Sequence, residues 1–380
     1  MLGQFKANFN RGLIMYKNEN SLIDQAEVEN FLDKVVADTS GLAVTILAAL
    51  ADRLGLFKTM AANGPVTSAE LADLASIHPR YAKEWASAMF SAGYLDYDPA
   101  SETFTLPAAH IPVLAEEGGP YFVGGTHQML LGMLDIIDLL QQAFVTGHGI
   151  PMSAYGANTW EGMERDMTGV YQANLFQRWI PAMSGVQSML KRGIDVADIG
   201  CGSGQILIML AKEFPNSRYI GYDLFEPLVA RAKANAEAAG VYRTIVRFEV
   251  LDGASGLPEQ FDLIIAFDVI HDAADPSGLL QSIRRSLRPD GRYICMDVNC
   301  SDKLEENTGN LAALRYGFSI LYCMSTSLAD DGVGLGTMGL SETKMRQLCQ
   351  EAGFGDVQRL PLDGVHNVYE VMPKVQDGRT

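Results

Sequence analysis

Residues 196–205, VADIGCGSGQ, place three glycines within five positions directly after a short apolar run. A buried strand, a glycine-rich turn and the start of a helix together direct backbone N–H groups and the positive end of the helix dipole toward a nucleotide-like ligand. This stretch therefore predicts an α/β domain whose ligand site lies at the carboxyl edge of its sheet.

From residue 192 onward, apolar runs alternate with helical patterns. The nearly continuous apolar runs are typical of strands buried on both faces of a parallel sheet: IDVADI, SRYIGYD, IVRFEV, FDLIIAF and RYICMDV. The stretches EPLVARAKANAEAAG and PSGLLQSIRRSL between them are predicted to be helices. The alternation predicts a doubly wound α/β domain. SETKMRQLCQEAGF and GDVQRLPLDGVHNVYEVMP then predict a last helix and a terminal hairpin.

The N-terminal half follows another pattern. Residues 41–62 are predicted to be one helix with an apolar face, and residues 66–76 begin with the spacing of a capping box. The next helix carries Tyr81, Trp85 and Met89 at intervals of four residues. Two β-like runs around an Asp-Pro pair then predict a hairpin. Three helices followed by a hairpin are the order of a winged helix.

Charge and cysteine content exclude several classes of function. The formal net charge is −17, and residues 67–106 hold six acidic residues against two basic ones, a poor surface for phosphate contacts. Nucleic acid and acidic membrane surfaces are therefore not expected partners. Five cysteines without a CxxC pair favour reduced thiols and the cytoplasm. Neither an export signal nor an uninterrupted membrane span is expected.

The spacing of the glycines distinguishes between two cofactors. A dinucleotide fingerprint is G-x-G-x-x-G, whereas Gly200, Gly202 and Gly204 are spaced G-x-G-x-G. Such a turn can approach a ligand that has no diphosphate, and the carboxylate of Asp198 can bind a cationic amino group, as S-adenosylmethionine has. Asp223, at the end of the second strand, can accept hydrogen bonds from two ribose hydroxyls, although an NAD site would also have this acid.

As a set, these motifs carry a resemblance. VADIGCGSG, YIGYDL, VLDG, FDLIIAFDVIHD and LRPDGRYICMD resemble, in this order, the motifs of class I S-adenosylmethionine-dependent methyltransferases, over about half of the chain. Residues 50–107 resemble the N-terminal winged helix of a bacterial group related to small-molecule O-methyltransferases. The resemblance implies a Rossmann-like, seven-stranded, doubly wound sheet with an antiparallel last strand. It also implies an N-terminal, mainly helical domain that mediates dimerisation and helps to cover the substrate.

Three segments are predicted on this basis. Residues 1–115 are an extension and winged-helix/dimerisation domain, residues 116–190 a helical connector that could serve as a substrate lid, and residues 191–380 the S-adenosylmethionine-binding methyltransferase domain. Asp252 could accept from an adenine amino group or could be a turn residue. The candidate cofactor-binding residues are Asp198, Gly200, Cys201, Gly202, Gly204, Asp223, Leu224, Asp252, Gly253, Phe267 and Asp268.

The reaction needs a base. Methyl transfer from a sulfonium is an in-line displacement, so the protein must align the acceptor and remove its proton. Of six histidines, only His271 lies just past the carboxyl end of the fourth strand. VIHDAADP also resembles the segment that carries the general-base histidine in O-methyltransferases. Asp272 could orient this imidazole or cap a helix, and Asp268 could brace it or contact the cofactor.

Candidates for acceptor binding are dispersed along the chain. Packing in the core is the competing interpretation for each of them: His127, Trp160, Trp179, Arg315, Tyr316 and Tyr322. No cluster of His, Cys or carboxylate residues has metal-ligand spacing, so no metal site is expected, although dispersed ligands are not excluded.

The sequence therefore predicts a cytoplasmic, homodimeric methyltransferase that uses S-adenosylmethionine, releases S-adenosylhomocysteine and acts on a small molecule, most readily at a hydroxyl. Methylation of nitrogen or carbon is an alternative, since His271 could serve there as well. Two further alternatives are a non-catalytic winged-helix regulator that binds S-adenosylmethionine and an NAD-dependent dehydrogenase. The chain has FDVIHD where base-modifying enzymes of this fold often carry N/D-P-P-Y/F.

Overall fold

The computed structural model of the chain describes residues 24–374. The chain divides into two compact units, one ending at Leu47 and the other beginning at Ala48. In the first unit the described structure is the greater part of helix α1, Gln25–Arg53. The N-terminal stretch on which the expectation of no export signal rested lies outside the described residues. So do residues 375–380 of the predicted methyltransferase domain.

Helix α1 is apolar and largely exposed. Over Ala26–Arg53 it is long and apolar enough to cross a bilayer, with a mean hydropathy of 1.5 in a window that is 17% buried. Asp52 and Arg53 stand at the end of the helix, so these charges do not interrupt its apolar stretch, and an uninterrupted apolar stretch is present where none was expected. Buried core helices of soluble proteins and N-terminal signal sequences reach the same length and hydropathy, so one such helix does not assign a membrane span.

The winged-helix elements follow in the predicted order. Their strands form a three-stranded antiparallel sheet in the order β1-β3-β2. The predicted capping box is present, because the Thr67 side chain accepts from the Glu70 N–H and the Glu70 carboxylate accepts from the Thr67 N–H at 2.8 Å. The elements are α2 (Leu56–Asn63), β1 (Val66–Thr67), α3 (Ser68–Ala75), α4 (Pro79–Ser91), β2 (Asp96–Asp98) and β3 (Thr103–Thr105).

Two details of the predicted helices are wrong. The single helix expected over residues 41–62 ends at Arg53 and restarts at Leu56, because Gly55 adopts a left-handed conformation with φ 68°. In α4, Trp85 and Met89 are buried, whereas Tyr81 is 77% exposed. Each four-residue step rotates by about 40° around a helix, so a position eight residues away lies about 80° from the buried face.

The connector is helical, as predicted. Its two central helices, α6 and α8, lie in close contact, because a Cβ on Gly125 would lie 2.6 Å from the carbonyl oxygen of Gly162. A π-helical turn, Leu175–Trp179, follows α8. The helices are α5 (Ile111–Leu114), α6 (Gly124–Leu134), α7 (Ile137–Thr146), α8 (Ala157–Asn174), α9 (Ile180–Ala182) and α10 (Val186–Arg192).

The C-terminal part is built on a seven-stranded sheet in the order β6-β5-β4-β7-β8-β10-β9. The first five strands in this order are parallel, and β10 is antiparallel to both of its neighbours. The predicted fold class, including the antiparallel strand of the terminal hairpin, is confirmed. The strands are β4 (Asp195–Ile199), β5 (Arg218–Asp223), β6 (Val246–Val250), β7 (Phe261–Phe267), β8 (Leu287–Val298), β9 (Phe354–Arg359) and β10 (His366–Pro373).

Helices cover both faces of this sheet, as the continuous apolar strands require. Val196 of β4 packs in one hydrophobic cluster, and Ala197 and Ile199 pack in another. Because β4, β5 and β7 are parallel, the turns that follow them open at the same carboxyl edge of the sheet. The helices are α11 (Gln205–Glu213), α12 (Glu226–Ala238), α13 (Pro276–Ser286), α14 (Gly309–Phe318), α15 (Met324–Ala329) and α16 (Glu342–Glu351).

Candidate active site

The glycine turn between β4 and α11 needs its glycines for two different reasons. Gly200, Gly202 and Gly204 all have positive φ, at 68°, 52° and 78°. A Cβ on Gly200 would lie 2.4 Å from Val269, and one on Gly204 would lie 2.6 Å from Phe248, so packing excludes side chains there. A Cβ on Gly202 would meet no atom within 4 Å. This glycine therefore leaves the backbone open to a ligand.

Two buried carboxylates flank this turn. Asp198 is 3% exposed, and its side chain makes no hydrogen bond or ion pair within residues 24–374. Burial, reinforced by the nearby Asp223, raises the pKa of Asp198 well above its usual range. Asp223 accepts hydrogen bonds from the N–H groups of Gly202 and Phe225, each at 2.9 Å. A buried carboxylate without a partner is costly, so Asp198 is suited to a cationic ligand group.

The remaining predicted cofactor residues lie around the same edge. Cys201 and Phe267 are buried, and Leu224 is exposed. Gly253 has no room for a side chain. Asp252 accepts hydrogen bonds from the backbone and the serine hydroxyl of the turn that follows it, at 2.9 and 2.8 Å, so the structure shows its turn contact.

The carboxyl ends of β7 and β8 bring a histidine and an aspartate together, because these strands are parallel neighbours. His271 is 3% exposed, and its Nδ1 lies 2.7 Å from Oδ1 of Asp297. That oxygen also accepts from the N–H of Val298 at 2.8 Å. Nε2 of His271 lies 3.0 Å from Oδ1 of Asp272. Asp297 is the acidic partner of His271 that sequence reasoning missed.

The two carboxylates control the charge of this histidine. Burial lowers the pKa of His271, but the charges of Asp297 and Asp272 outweigh burial and raise this pKa well above its usual value. With Nδ1 donating to Asp297, the hydrogen-bond network assigns the lone pair of the neutral ring to Nε2. A proton taken up by the neutral ring therefore enters at Nε2, on the side of Asp272.

A second aspartate–histidine pair lies beside the first. Asp268 has φ 56°, a strained conformation for a residue with a side chain, and its Oδ2 lies 3.3 Å from Nε2 of His366 on β10. Asp268 could have braced His271, but the bonded partner of His271 is Asp297. Burial lowers the pKa of His366, and Asp268 outweighs burial and raises it.

Two predicted acceptor residues lie in one aromatic wall. The ring of Tyr322 is 5.2 Å from that of Tyr155 and 5.7 Å from that of Trp160, centroid to centroid, in edge-on contacts. Tyr322 belongs to a π-helical turn, Ser319–Cys323, after α14. The charge of Asp272 acts on both tyrosines and contributes to their raised pKa, after burial. Cys323, the last residue of this turn, has its Sγ within 4.8 Å of the ligand atoms of His271 and Asp272, so the turn lies beside the His271 site.

The other predicted acceptor residues lie elsewhere. Trp179 packs edge-on against Phe267 at 5.7 Å, on the cofactor side. Arg315 donates to two backbone carbonyls, at 2.9 and 2.6 Å. Tyr316 is half-buried on α14. Burial lowers the pKa of His127, and the nearby charge of Asp52 on α1 partly opposes this effect. Trp160 and Tyr322 are both buried and pack with Tyr155 in one hydrophobic cluster. Their contact with an acceptor stays a prediction.

Helix α8 contacts the glycine turn and its neighbours through one carboxylate that sequence reasoning also missed. Glu164 accepts hydrogen bonds from Gln205 at 2.8 Å and from Asn235 at 3.1 Å, and forms an ion pair with Arg231. Asn235 also donates to the carbonyl of Ser203 within the turn, at 3.1 Å. The connector therefore lies against the N-terminus of α11.

Comparisons with known proteins match two parts of the chain. Residues 190–353 match a family model described as a methyltransferase domain. Residues 42–116 match a model described as an Rv2258c-like winged HTH domain. A ubiquinone biosynthesis O-methyltransferase from Aeromonas salmonicida is 26% identical over 148 residues, which are 39% of this chain and 60% of that protein. The chain thus spans less than two thirds of the length of that curated relative.

Two solved structures are similar over nearly the whole chain. The mitomycin 7-O-methyltransferase MmcR has a TM-score of 0.67 and 16% identity, over 92% of this chain and 100% of that one. Human N-acetylserotonin methyltransferase in complex with SAM has a TM-score of 0.68 and 18% identity, over 93% and 99%. At these identities the likeness shows the fold.

Proposed function

Because the chain carries a methyltransferase domain at residues 190–353 behind a winged-helix domain at residues 42–116, we propose that it transfers a methyl group from S-adenosylmethionine to a hydroxyl of a small molecule. The observation that carries this proposal is one sheet edge that holds both the open glycine turn and the buried His271–Asp297 pair. Bound there, S-adenosylmethionine would supply an electrophilic methyl group.

The residues around the turn fit this cofactor. The unpartnered carboxylate of Asp198 would hold the amino group, and the open backbone at Gly202 would allow close approach. Asp223 uses one lone pair of each oxygen on a backbone N–H, which leaves acceptor capacity for ribose hydroxyls. The other predicted cofactor residues would line the same edge of the sheet around the bound cofactor.

His271 would act as the general base. A hydroxyl must lose its proton as it attacks, and a phenol has a pKa near 10, so a base held at the acceptor contributes directly to the rate. Nε2 of His271 would take the proton, and Asp297 would hold the ring orientation and stabilise the charged imidazolium that results. The partly exposed side chain of Asp272 would move away from Nε2, so that the acceptor hydroxyl can take its place.

The wall beside His271 favours an aromatic acceptor. Tyr155, Trp160 and Tyr322 pack edge-on in one buried cluster, and Tyr322 directly precedes Cys323, whose Sγ lies within 4.8 Å of the ligand atom of His271. Aromatic rings pack well against such clusters. A phenolic small molecule would combine this packing with a hydroxyl at Nε2. Methylation of nitrogen or carbon has no specific observation in its favour.

We also propose that the chain is a cytoplasmic homodimer. Its five cysteines are free thiols, which suits a reducing compartment. Large apolar side chains on α1 are exposed, among them Phe31 and Leu42, and a second copy would cover them. The strong negative charge disfavours an acidic membrane as the covering surface.

Isothermal titration with S-adenosylmethionine, S-adenosylhomocysteine and NAD tests the cofactor. Binding of the first two and not of NAD is expected, and failure of both adenosyl ligands would refute the proposal. A panel of phenols is then assayed for S-adenosylhomocysteine formation with the wild type and His271→Ala. The variant should lose about 10²–10⁴-fold in turnover at unchanged cofactor affinity. Equal turnover would remove His271 as the base.

A further inference from the structure

We propose that the acceptor end of this site is also a zinc-binding site, formed by His271, Asp272 and Cys323. One ligand atom from each residue lies within 4.8 Å of the others. The sequence showed no metal-ligand spacing because Cys323 comes from the π-helical turn after α14, far along the chain from the other two. The fold brings these dispersed ligands together.

The ligand atoms lie near the spacing that zinc needs, since all three separations are at most 4.8 Å. Zn²⁺ bonds of about 2.0–2.3 Å to nitrogen, oxygen and sulfur in a tetrahedral arrangement separate the ligand atoms by roughly 3.3–3.7 Å. Oδ1 of Asp272 lies 3.0 Å from Nε2 of His271, and this buried oxygen has no hydrogen-bond partner among residues 24–374. A cation between the two atoms would satisfy the oxygen after a small outward movement.

Each of two ligands already has a supporting partner. Asp297 accepts from Nδ1 of His271, which directs the Nε2 lone pair toward the site, as in carboxylate–histidine–zinc arrangements. The hydroxyl of Thr337 donates to Sγ of Cys323 at 3.0 Å, a contact that stabilises a thiolate. These two contacts fix the imidazole of His271 and the thiol of Cys323, whose ligand atoms lie within 4.8 Å of each other.

The types of ligand favour zinc over other metals. The partly exposed side of the site gives the ion access from solvent. One thiolate, one imidazole and one carboxylate suit Zn²⁺ and not Mg²⁺ or Ca²⁺, which prefer oxygen ligands. His271 and Cys323 are buried, whereas the Asp272 side chain is 27% exposed and marks the open side. Three protein ligands leave a fourth position for water or an acceptor oxygen.

Zinc binding has a consequence for methyl transfer. A metal on Nε2 occupies the lone pair that would accept the acceptor's proton, so the zinc-loaded protein would be inhibited. This consequence rests on the proposed function. The binding itself does not, and it can be measured without turnover.

The test uses the full chain, kept reduced and freed of metal with a chelator that is then removed. Co²⁺ is titrated in, and thiolate-to-cobalt absorption in the near ultraviolet is followed, with Zn²⁺ as competitor and calorimetry for stoichiometry. We expect one ion per chain and a band that Zn²⁺ removes. Cys323→Ser should abolish the band, and Cys300→Ser, which removes a partly buried thiol nearby, should keep it.

A second variant tests the supporting partner. Asp297→Asn should weaken zinc affinity by about 10–100-fold, the usual effect of losing such a partner. Circular dichroism of each variant establishes that it is folded. Absence of a band in the wild type, or an equal band in Cys323→Ser, would overturn the proposal. Titration of S-adenosylhomocysteine in the same samples reports on the cofactor site separately, so failure of one proposal is distinguishable from failure of the other.

Discussion

The carboxylate of Asp223 is predicted to contribute to the affinity for the cofactor. It is buried at the end of β5, and removing it takes away acceptors for ribose hydroxyls. Asp223→Ala should therefore weaken S-adenosylmethionine binding by about 1–3 kcal/mol in isothermal titration. The matched control is Asp195→Ala at the opposite end of β4, where the carboxylate pairs with Arg218 and Arg288. If both variants bind equally well, Asp223 does not hold the ribose.

The His271–Asp297 pair predicts a pH dependence of the reaction. Because the charges of Asp297 and Asp272 outweigh burial and raise the pKa of His271, the base form of the ring appears at higher pH than in a free imidazole. The value of kcat/KM should therefore increase as pH rises through this raised pKa. Asp297→Asn removes one of the two charges that raise this pKa, so the acid limb should move to lower pH.

The same variant should also lose turnover. The amide no longer stabilises the imidazolium, and we expect a loss of about 10²-fold or more in the pH-independent rate. The profile is measured as S-adenosylhomocysteine formation over a pH series, with cofactor affinity measured as a control. An unchanged acid limb would leave Asp297 with a structural role only.

At the scale of elements, helix α8 is expected to be held against the cofactor domain by one side chain. Glu164 is 13% exposed and satisfies donors from Gln205, Arg231 and Asn235. Glu164→Ala leaves these donors without their partner and should cost about 1–3 kcal/mol in the free energy of unfolding, measured by urea denaturation. Glu161→Ala, at a 42% exposed position on the same helix, should cost less than about 1 kcal/mol. Equal costs would contradict this role.

The elements were more predictable from the sequence than the contacts between them. All five parallel strands and the terminal hairpin are predicted by apolar runs and the turn residues between them, because a strand buried on both faces has a continuous apolar sequence. His271 follows from its place after a strand. Asp297, Glu164 and Cys323 do not, because each meets its partner across elements that are distant in the chain. Local sequence periodicity does not encode contacts between distant elements, which depend on the tertiary fold.

At the scale of the whole molecule, the acidic surface is expected to limit the partners of the winged helix. Residues 67–106 hold six acids and two bases, so a DNA duplex would gain little from counterion release. This leaves the alternative of a DNA-binding regulator without electrostatic support. A gel shift that weakens as salt increases would restore it.

The exposed apolar side chains of α1 lead to a prediction about assembly. Phe31 and Leu42 stand out of the same long helix, and covering them by a second copy removes apolar surface from water. Light scattering coupled to size exclusion should therefore give twice the chain mass of 41.3 kDa. Phe31→Glu with Leu42→Glu should halve that mass, because a buried charge opposes the interface. Leu304→Glu, at an exposed position near β8, is the control and should leave the dimer intact. A monomeric wild type that sediments with neutral lipid vesicles would instead assign α1 to a membrane surface.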